Sequence, residues 1–236
     1  TGPYKLKEWI AGQKIVLEAN DRYFEGRPRI DQYIYRIIPD SSTMFQELLS
    51  GGVDMMGLNS IQYLRKSETR RIRENYRKFR YPANAFTYMG YNLASPLFAD
   101  KKVRQALAYA IDYEGIVRYL RRGLATTASG VLPPMSWAFE PDVVKYTHDP
   151  ARAKSLLDEA GYADTDGDGP RPRFTLSLKV SNTEFNRLQS AVIQQNLRDV
   201  GIRLDVRTYE FANLYADVLK GSFQMFFLQL TAGATA

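Results

Sequence analysis

The 236-residue chain has no cysteine and a single histidine, His148. The first absence excludes a disulfide framework, a thiolate zinc site and a cysteine nucleophile, while leaving the compartment open. The second rules out a metal cluster built from histidines. No run of about 18 apolar residues occurs, so no segment reads as a membrane-spanning helix. Motifs of nucleophilic and phosphate chemistry are missing as well: there is no Gly-x-Ser-x-Gly elbow, no phosphate-cradling glycine loop and no His-Glu-x-x-His. Asp158 and Glu159 are adjacent on a helix, point in different directions and cannot share a reacting atom. His148 reads as the neighbour of a helix start rather than as a base. Neither an enzyme nor a cofactor is expected.

What is present begins with charge. The net charge is +6, and the excess is local. Residues 65–80 hold Arg65, Lys66, Arg70, Arg71, Arg73, Arg77, Lys78 and Arg80 against only Glu68 and Glu74, which accounts for all of it. The favoured reading is a solvated, partly helical surface with Ile72, Tyr76 and Phe79 turned inward. The alternative is a basic surface that binds nucleic acid or an anionic membrane; no stacking aromatics or groove-sized helix supports it, so no nucleic-acid partner is expected.

Residue patterning predicts a mixed α/β fold. Strands are predicted near residues 4–9 and 14–19, separated by the Ala11-Gly12 turn, with a third along 27–40, where Ile30, Tyr33, Tyr35 and Ile37 recur. Asp40, Ser41 or Ser42 can cap a helix over 43–50 that ends at Gly51-Gly52, and residues 53–55 are predicted to begin a further strand. Residues 85–92 read as a strand. Asp100 can cap a helix with Val103, Ala106, Leu107, Ala110 and Ile111 on one face; Asp112 can cap a second, with Ile116, Val117 and Leu120 inward, stopped by Gly123. Asp149-Pro150 opens a helix that carries Leu156 and Leu157 inward and ends at Gly161. The final third alternates clearly: strand 174–180, helix 184–200, strand 202–209, helix 211–219, strand 223–230. A β-α-β-α-β unit of this kind predicts parallel strands joined by right-handed crossovers.

Two groups of residues suggest binding. Asp164, Asp166 and Asp168 alternate with a glycine where a calcium loop would turn, but the twelfth position of such a loop is Thr175 and carries no bidentate carboxylate. The favoured reading is an Asp/Gly turn, with calcium kept only as a weak candidate. Among the 16 Tyr and 12 Phe, Phe86 and Tyr88 share one face of their strand and Tyr91 takes the other.

The ordered set TGPYKL, IVLEANDRYFEGRPRIDQYIYRIIPD, SGGVD, the block 91–134 from YNLASPLFAD to VLPP, DPARAKSLLDEAGY and the closing G-x-F-x-M strand resembles the peptide/nickel-type extracellular solute-binding proteins of ABC importers. The resemblance implies periplasmic-binding-protein-like lobes, here incomplete, with residues 1–82 in the first lobe and 83–236 in the second. It implies capture of a peptide or related small solute outside the cytoplasmic membrane, in the periplasm or at the cell envelope, and delivery to permease subunits and an ATPase. A lipid anchor upstream would be the only other membrane association. The chain is expected to be an internal fragment. Family ligand contacts map onto Asn84, Tyr88 and Gly90, onto Ser181 and Asn182, and onto Leu230 and Gly233. The family's Gly-Trp is replaced by Gln229-Leu230, and an aspartate that meets a peptide ammonium is replaced by Gly233, so a longer peptide or another solute is expected over a free dipeptide.

Overall fold

The computed structural model describes residues 2–83, 85–134, 136–167 and 169–231. The chain forms two compact units, Thr1–Lys78 and Phe79–Ala236.

In the first unit, β1 (Tyr4–Ile10), β2 (Lys14–Ala19) and β3 (Gln32–Arg36) form an antiparallel meander in that order, with a bulge in β1 between Leu6 and Glu8. Helix α1 (Ser41–Ser50) is capped by Asp40, whose carboxylate accepts the Thr43 N–H at 2.7 Å, and it ends where Gly51 adopts a φ of 82°. Helix α2 (Ser60–Leu64) starts with a reciprocal Asn59–Gln62 capping box. A short 3-10 turn (Lys66–Glu68) and α3 (Arg70–Asn75) follow. Residues 53–55 form no strand, contrary to the sequence pattern. The sheet of this unit consists of β1, β2 and β3 among the described residues, and residues 53–55 do not pair with it.

Half of the basic residues of this stretch are engaged within the unit. Arg70 pairs with Glu74 at 2.6 Å, Arg73 with Glu68 at 3.1 Å, and Lys78 also with Glu68, while Arg71 donates to the Leu49 carbonyl. Ile72 is buried, and the Tyr76 hydroxyl donates to the Leu48 carbonyl. Phe79 is 75% exposed and does not turn inward. Helix α3 has already ended at Asn75, so the helical period that would have aligned Phe79 with Ile72 is broken.

The second unit is a four-stranded sheet of order β4-β7-β5-β6. Strands β5 (Phe174–Ser181) and β6 (Ile202–Tyr209) run parallel, as do β5 and β7 (Met225–Thr231), whereas β4 (Ala85–Tyr91) pairs antiparallel with β7. Helices α8 (Glu184–Arg198) and α9 (Phe211–Leu219) make the crossovers, giving the β-α-β-α-β unit predicted from the sequence. Alternation along β5 puts Leu176, Leu178 and Val180 fully inside. They pack with Ile193 and Leu197 of α8, with Ala106 and Leu107 of α5 (Lys101–Ala110), and with Leu157 of α7 (Pro150–Glu159).

Asp100 caps α5 through the Lys102 N–H at 2.7 Å, and α4 (Pro96–Ala99) tucks Phe98 beneath it. Asp149 caps α7 through the Arg152 N–H. The helix expected after Asp112 is short: α6 (Tyr113–Gly115) passes into a π-helical turn over Ile116–Leu120, and Gly123 closes it with a φ of 73°.

The opposite face of the sheet carries α9. Lys179 of β5 reaches Asp217 of that helix at 2.6 Å and the Ser222 carbonyl at 2.6 Å. On the same face the ring of Phe226 lies across Gly90, where a Cβ would come within 2.3 Å of it. Glycine is required there by close approach rather than by backbone dihedrals.

Three outcomes are expected. Leu157→Ala leaves a cavity among α5, α7 and β5 and costs about 2–5 kcal/mol in urea unfolding, whereas Leu188→Ala, at a half-exposed site, stays within about 0.5 kcal/mol. Gly90→Val forces the Phe226 ring aside and costs about 1–3 kcal/mol, part of which Phe226→Leu restores. The ammonium of Lys78 holds the Glu68 carboxyl below its ordinary value of 4.5, so Lys78→Met raises it. The sign follows: this contribution to stability is present above the unfolded-state pKa and fades as pH falls through the folded one. Carboxyl carbon chemical shifts across an acid titration read the change directly.

Candidate functional site

Ligands in open α/β sheets settle outside the carboxyl ends of the strands, where the strand order reverses. In the second unit the reversal falls between β5 and β7. The chain leaves β5 for α8 on the core face and β6 for α9 on the other, then passes β5 to form β7. The β5–β7 ladder consists of Leu178↔Met225 and Lys179↔Phe226 and goes no further. Beyond that point the two strand ends run on without pairing to each other.

Of the residues expected from the sequence to contact a solute, Tyr88, Gly90, Ser181, Asn182 and Leu230 lie among the described residues. Ser181 ends β5. Its Oγ accepts from Asn186 Nδ2 at 2.7 Å, which leaves the hydroxyl hydrogen for another acceptor. Asn182 follows, tied to β6 by its backbone N–H to the Tyr209 carbonyl at 3.0 Å and by its side-chain amide to Glu210 Oε1 at 2.6 Å. Tyr88, Gly90 and Leu230 lie on the sheet face opposite the α5, α7 and α8 core, since β4 and β7 pair as Phe86↔Leu230, Tyr88↔Leu228 and Gly90↔Phe226. Tyr88 meets Phe226 edge-on at 5.8 Å and Phe86 at 5.6 Å. Gly90 lies beneath the Phe226 ring, so its evident role is packing. Asn84 and Gly233 lie outside the described residues.

Three residues were not singled out by the sequence: Asn186, which orients Ser181; Glu210, which holds Asn182; and Phe226, which covers Gly90. Asn186 lies in the first turn of α8 and Glu210 holds the N-cap position of α9, both just past the carboxyl ends of parallel strands, where the parallel pattern itself was a signal. Phe226 depends on a register that no local pattern reveals.

The Asp164 carboxylate accepts the N–H groups of Asp166 and Gly167, and Asp166 accepts that of Arg171. These carboxylates are turned onto their own backbone, as an Asp/Gly turn requires. Asp168 is outside the described residues, and no group of three potential ligands clusters among those described. Tyr91 and Tyr113 have their ionisation pushed up by burial, Tyr113 to about 12. Tyr91 packs on Phe98 at 5.2 Å, and both tyrosines border the core, so these shifts report packing rather than a reactive site.

A family model described as bacterial extracellular solute-binding proteins, family 5 Middle, matches residues 1–235. The oligopeptide-binding protein AppA of Bacillus subtilis is 36% identical over 221 residues, spanning 91% of this chain and 40% of that protein. The dipeptide-binding protein of Escherichia coli is 28% identical, spanning 95% of this chain and 41% of its own. Among solved structures, that of Bacillus subtilis AppA in complex with a nonapeptide superposes with a TM-score of 0.89 at 32% identity, covering the whole of this chain and 48% of that one. This chain thus spans about two fifths of the length of the relatives it matches. With the family model running almost from end to end and the fold shared with solved members, the chain belongs to the bacterial extracellular solute-binding proteins of family 5.

Proposed function

We propose that the protein containing this chain captures peptides outside the cytoplasmic membrane for an ABC importer, and that the strand ends of β5 and β7 supply part of the binding cleft. The observation that carries this reading is the arrested β5–β7 ladder at the strand-order reversal. An extended peptide presents alternating N–H and C=O groups, and unpaired strand ends are suited to meet them. Ser181 and Asn182 add side-chain donors at the end of β5. Relatives named for peptides, among them a Bacillus subtilis protein solved with a nonapeptide, support peptide as the solute class.

In this reading residues 1–82 belong to one lobe and 83–236 to the other. Periplasmic or cell-envelope placement, permease subunits as partners and a lipid anchor upstream belong to the same proposal. No helix among the described residues is long and apolar enough to cross a membrane. The basic segment gives little support to a nucleic-acid reading, because Arg70, Arg71, Arg73 and Lys78 are already engaged by groups of the same unit.

Binding measured by calorimetry on the whole protein tests the proposal. A saturating peptide at about 100 times its Kd raises stability by about 2.7 kcal/mol, visible as a higher melting temperature, with little dependence on salt. Affinity for DNA that falls steeply with salt, together with no response to peptides, would sink it. The 236-residue chain alone, with part of the cleft, is expected to bind weakly or not at all; saturation by a mixed peptide pool at micromolar concentration would contradict that.

A further inference from the structure

The sheet of the first unit has two faces of opposite character. Cross-strand pairing puts Leu6, Leu17 and Tyr33 in one row and Trp9, Ile15 and Tyr35 in the next, and neither row holds a charge. The bulge of β1 between Leu6 and Glu8 adds one residue, and this keeps Trp9 on the face of Leu6. The other face is ionic: Lys14 meets Glu8 at 2.7 Å, and Arg36 meets Glu47 of α1 at 2.6 Å. Val16 of that ionic face is 5% exposed, whereas none of the six residues in the apolar rows is buried. Trp9 is 68% exposed, Leu6 60% and Tyr35 53%. Tyr33 packs its ring on those of Tyr35 at 4.9 Å and Tyr4 at 6.4 Å, within the same sheet.

We infer that this uncharged face of the β1–β2–β3 sheet seats an amphipathic segment of the same protein that lies outside these 236 residues, and is not a docking surface for a solute or a separate partner. The inference is independent of the solute-binding reading above. Monomeric proteins rarely leave a contiguous apolar surface of this kind in water, and an apolar segment laid on it withdraws both from solvent. A three-stranded sheet also depends on such packing for its own stability. Length supports a cover from the same protein: the chain spans 40% of AppA and 41% of the dipeptide-binding protein, so most of a protein of that size is left to supply one. Chemistry argues against a visiting partner. Interfaces that form and part are about as polar as the rest of a surface, and permanent ones are the more apolar. The ion pairs of this sheet lie on its opposite face, so nothing on the apolar rows would steer a charged partner in.

The test uses the whole protein without substitution, oxidised by hydroxyl radicals and read by mass spectrometry of the peptides that hold Trp9 and Tyr35. Both residues are expected to react several-fold more slowly in the native protein than in the same protein unfolded in urea, at every protein concentration and with or without a mixed peptide pool. Equal rates in the two states overturn the inference. Protection that fades on dilution overturns it in favour of a second copy, and protection that needs added peptides overturns it in favour of a solute surface. The source of the cover is read with a photo-reactive ring, through Tyr35→benzoylphenylalanine and, separately, Leu6→benzoylphenylalanine in the whole protein. Either is expected to cross-link within its own chain to residues outside these 236. Adducts confined to the 236 residues, or joining two copies, overturn the inference.

Discussion

The larger unit depends on the burial of one face of β5. Leu176, Leu178 and Val180 are wholly withdrawn from water, and helices of three different origins, α5, α7 and α8, converge on them. Each fully buried aliphatic chain of this kind contributes about 1.5–3 kcal/mol, so the triplet fixes which face of the strand looks inward. Once that face is set, the period of two commits Ser177, Lys179 and Ser181 to the other side. The position of Ser181 at the candidate site thus follows from the apolar residues beside it. The ion pair of Lys179 with Asp217 then holds α9 against the far face.

Local signals carried most of the architecture in the sequence. The β-α-β-α-β third was legible because its apolar periods switch cleanly between two and 3.6, and because Gly201, with a φ of 81°, follows the end of α8 where the pattern stops. The helix starts at Asp40, Asp100 and Asp149 were readable for the same reason: a short carboxylate followed by an apolar run has few other uses. The segment 53–55 was misread because strand propensity says nothing about the presence of a neighbour. Phe79 was misread because its helix stopped one turn short.

The candidate site was legible in part, for a related reason. Tyr88, Ser181 and Leu230 were reached through resemblance, and the register explains how two of them share a face. What escaped was everything held by pairs distant in sequence: Phe226 over Gly90, Asn182 with Glu210, and Arg173 with Asp158, where the arginine side chain is only 3% exposed. A buried guanidinium whose Nη1 donates to a carboxylate and to the Tyr162 carbonyl is a tertiary fact. No window of neighbouring residues contains it.

The antiparallel pairing of β4 with β7 also bears on the order of events in time. Residue 85 finds its partner in residue 231, so the first strand of this sheet waits for the last one. Until β7 is available, the backbone of β4 and the rings of Phe86 and Tyr88 have no cross-strand neighbours. Contacts so distant along the chain delay the transition state, because the loop entropy must be lost before the contacts return anything. Because β7 lies between β4 and β5, its arrival joins β4 to the rest of the sheet in a single step.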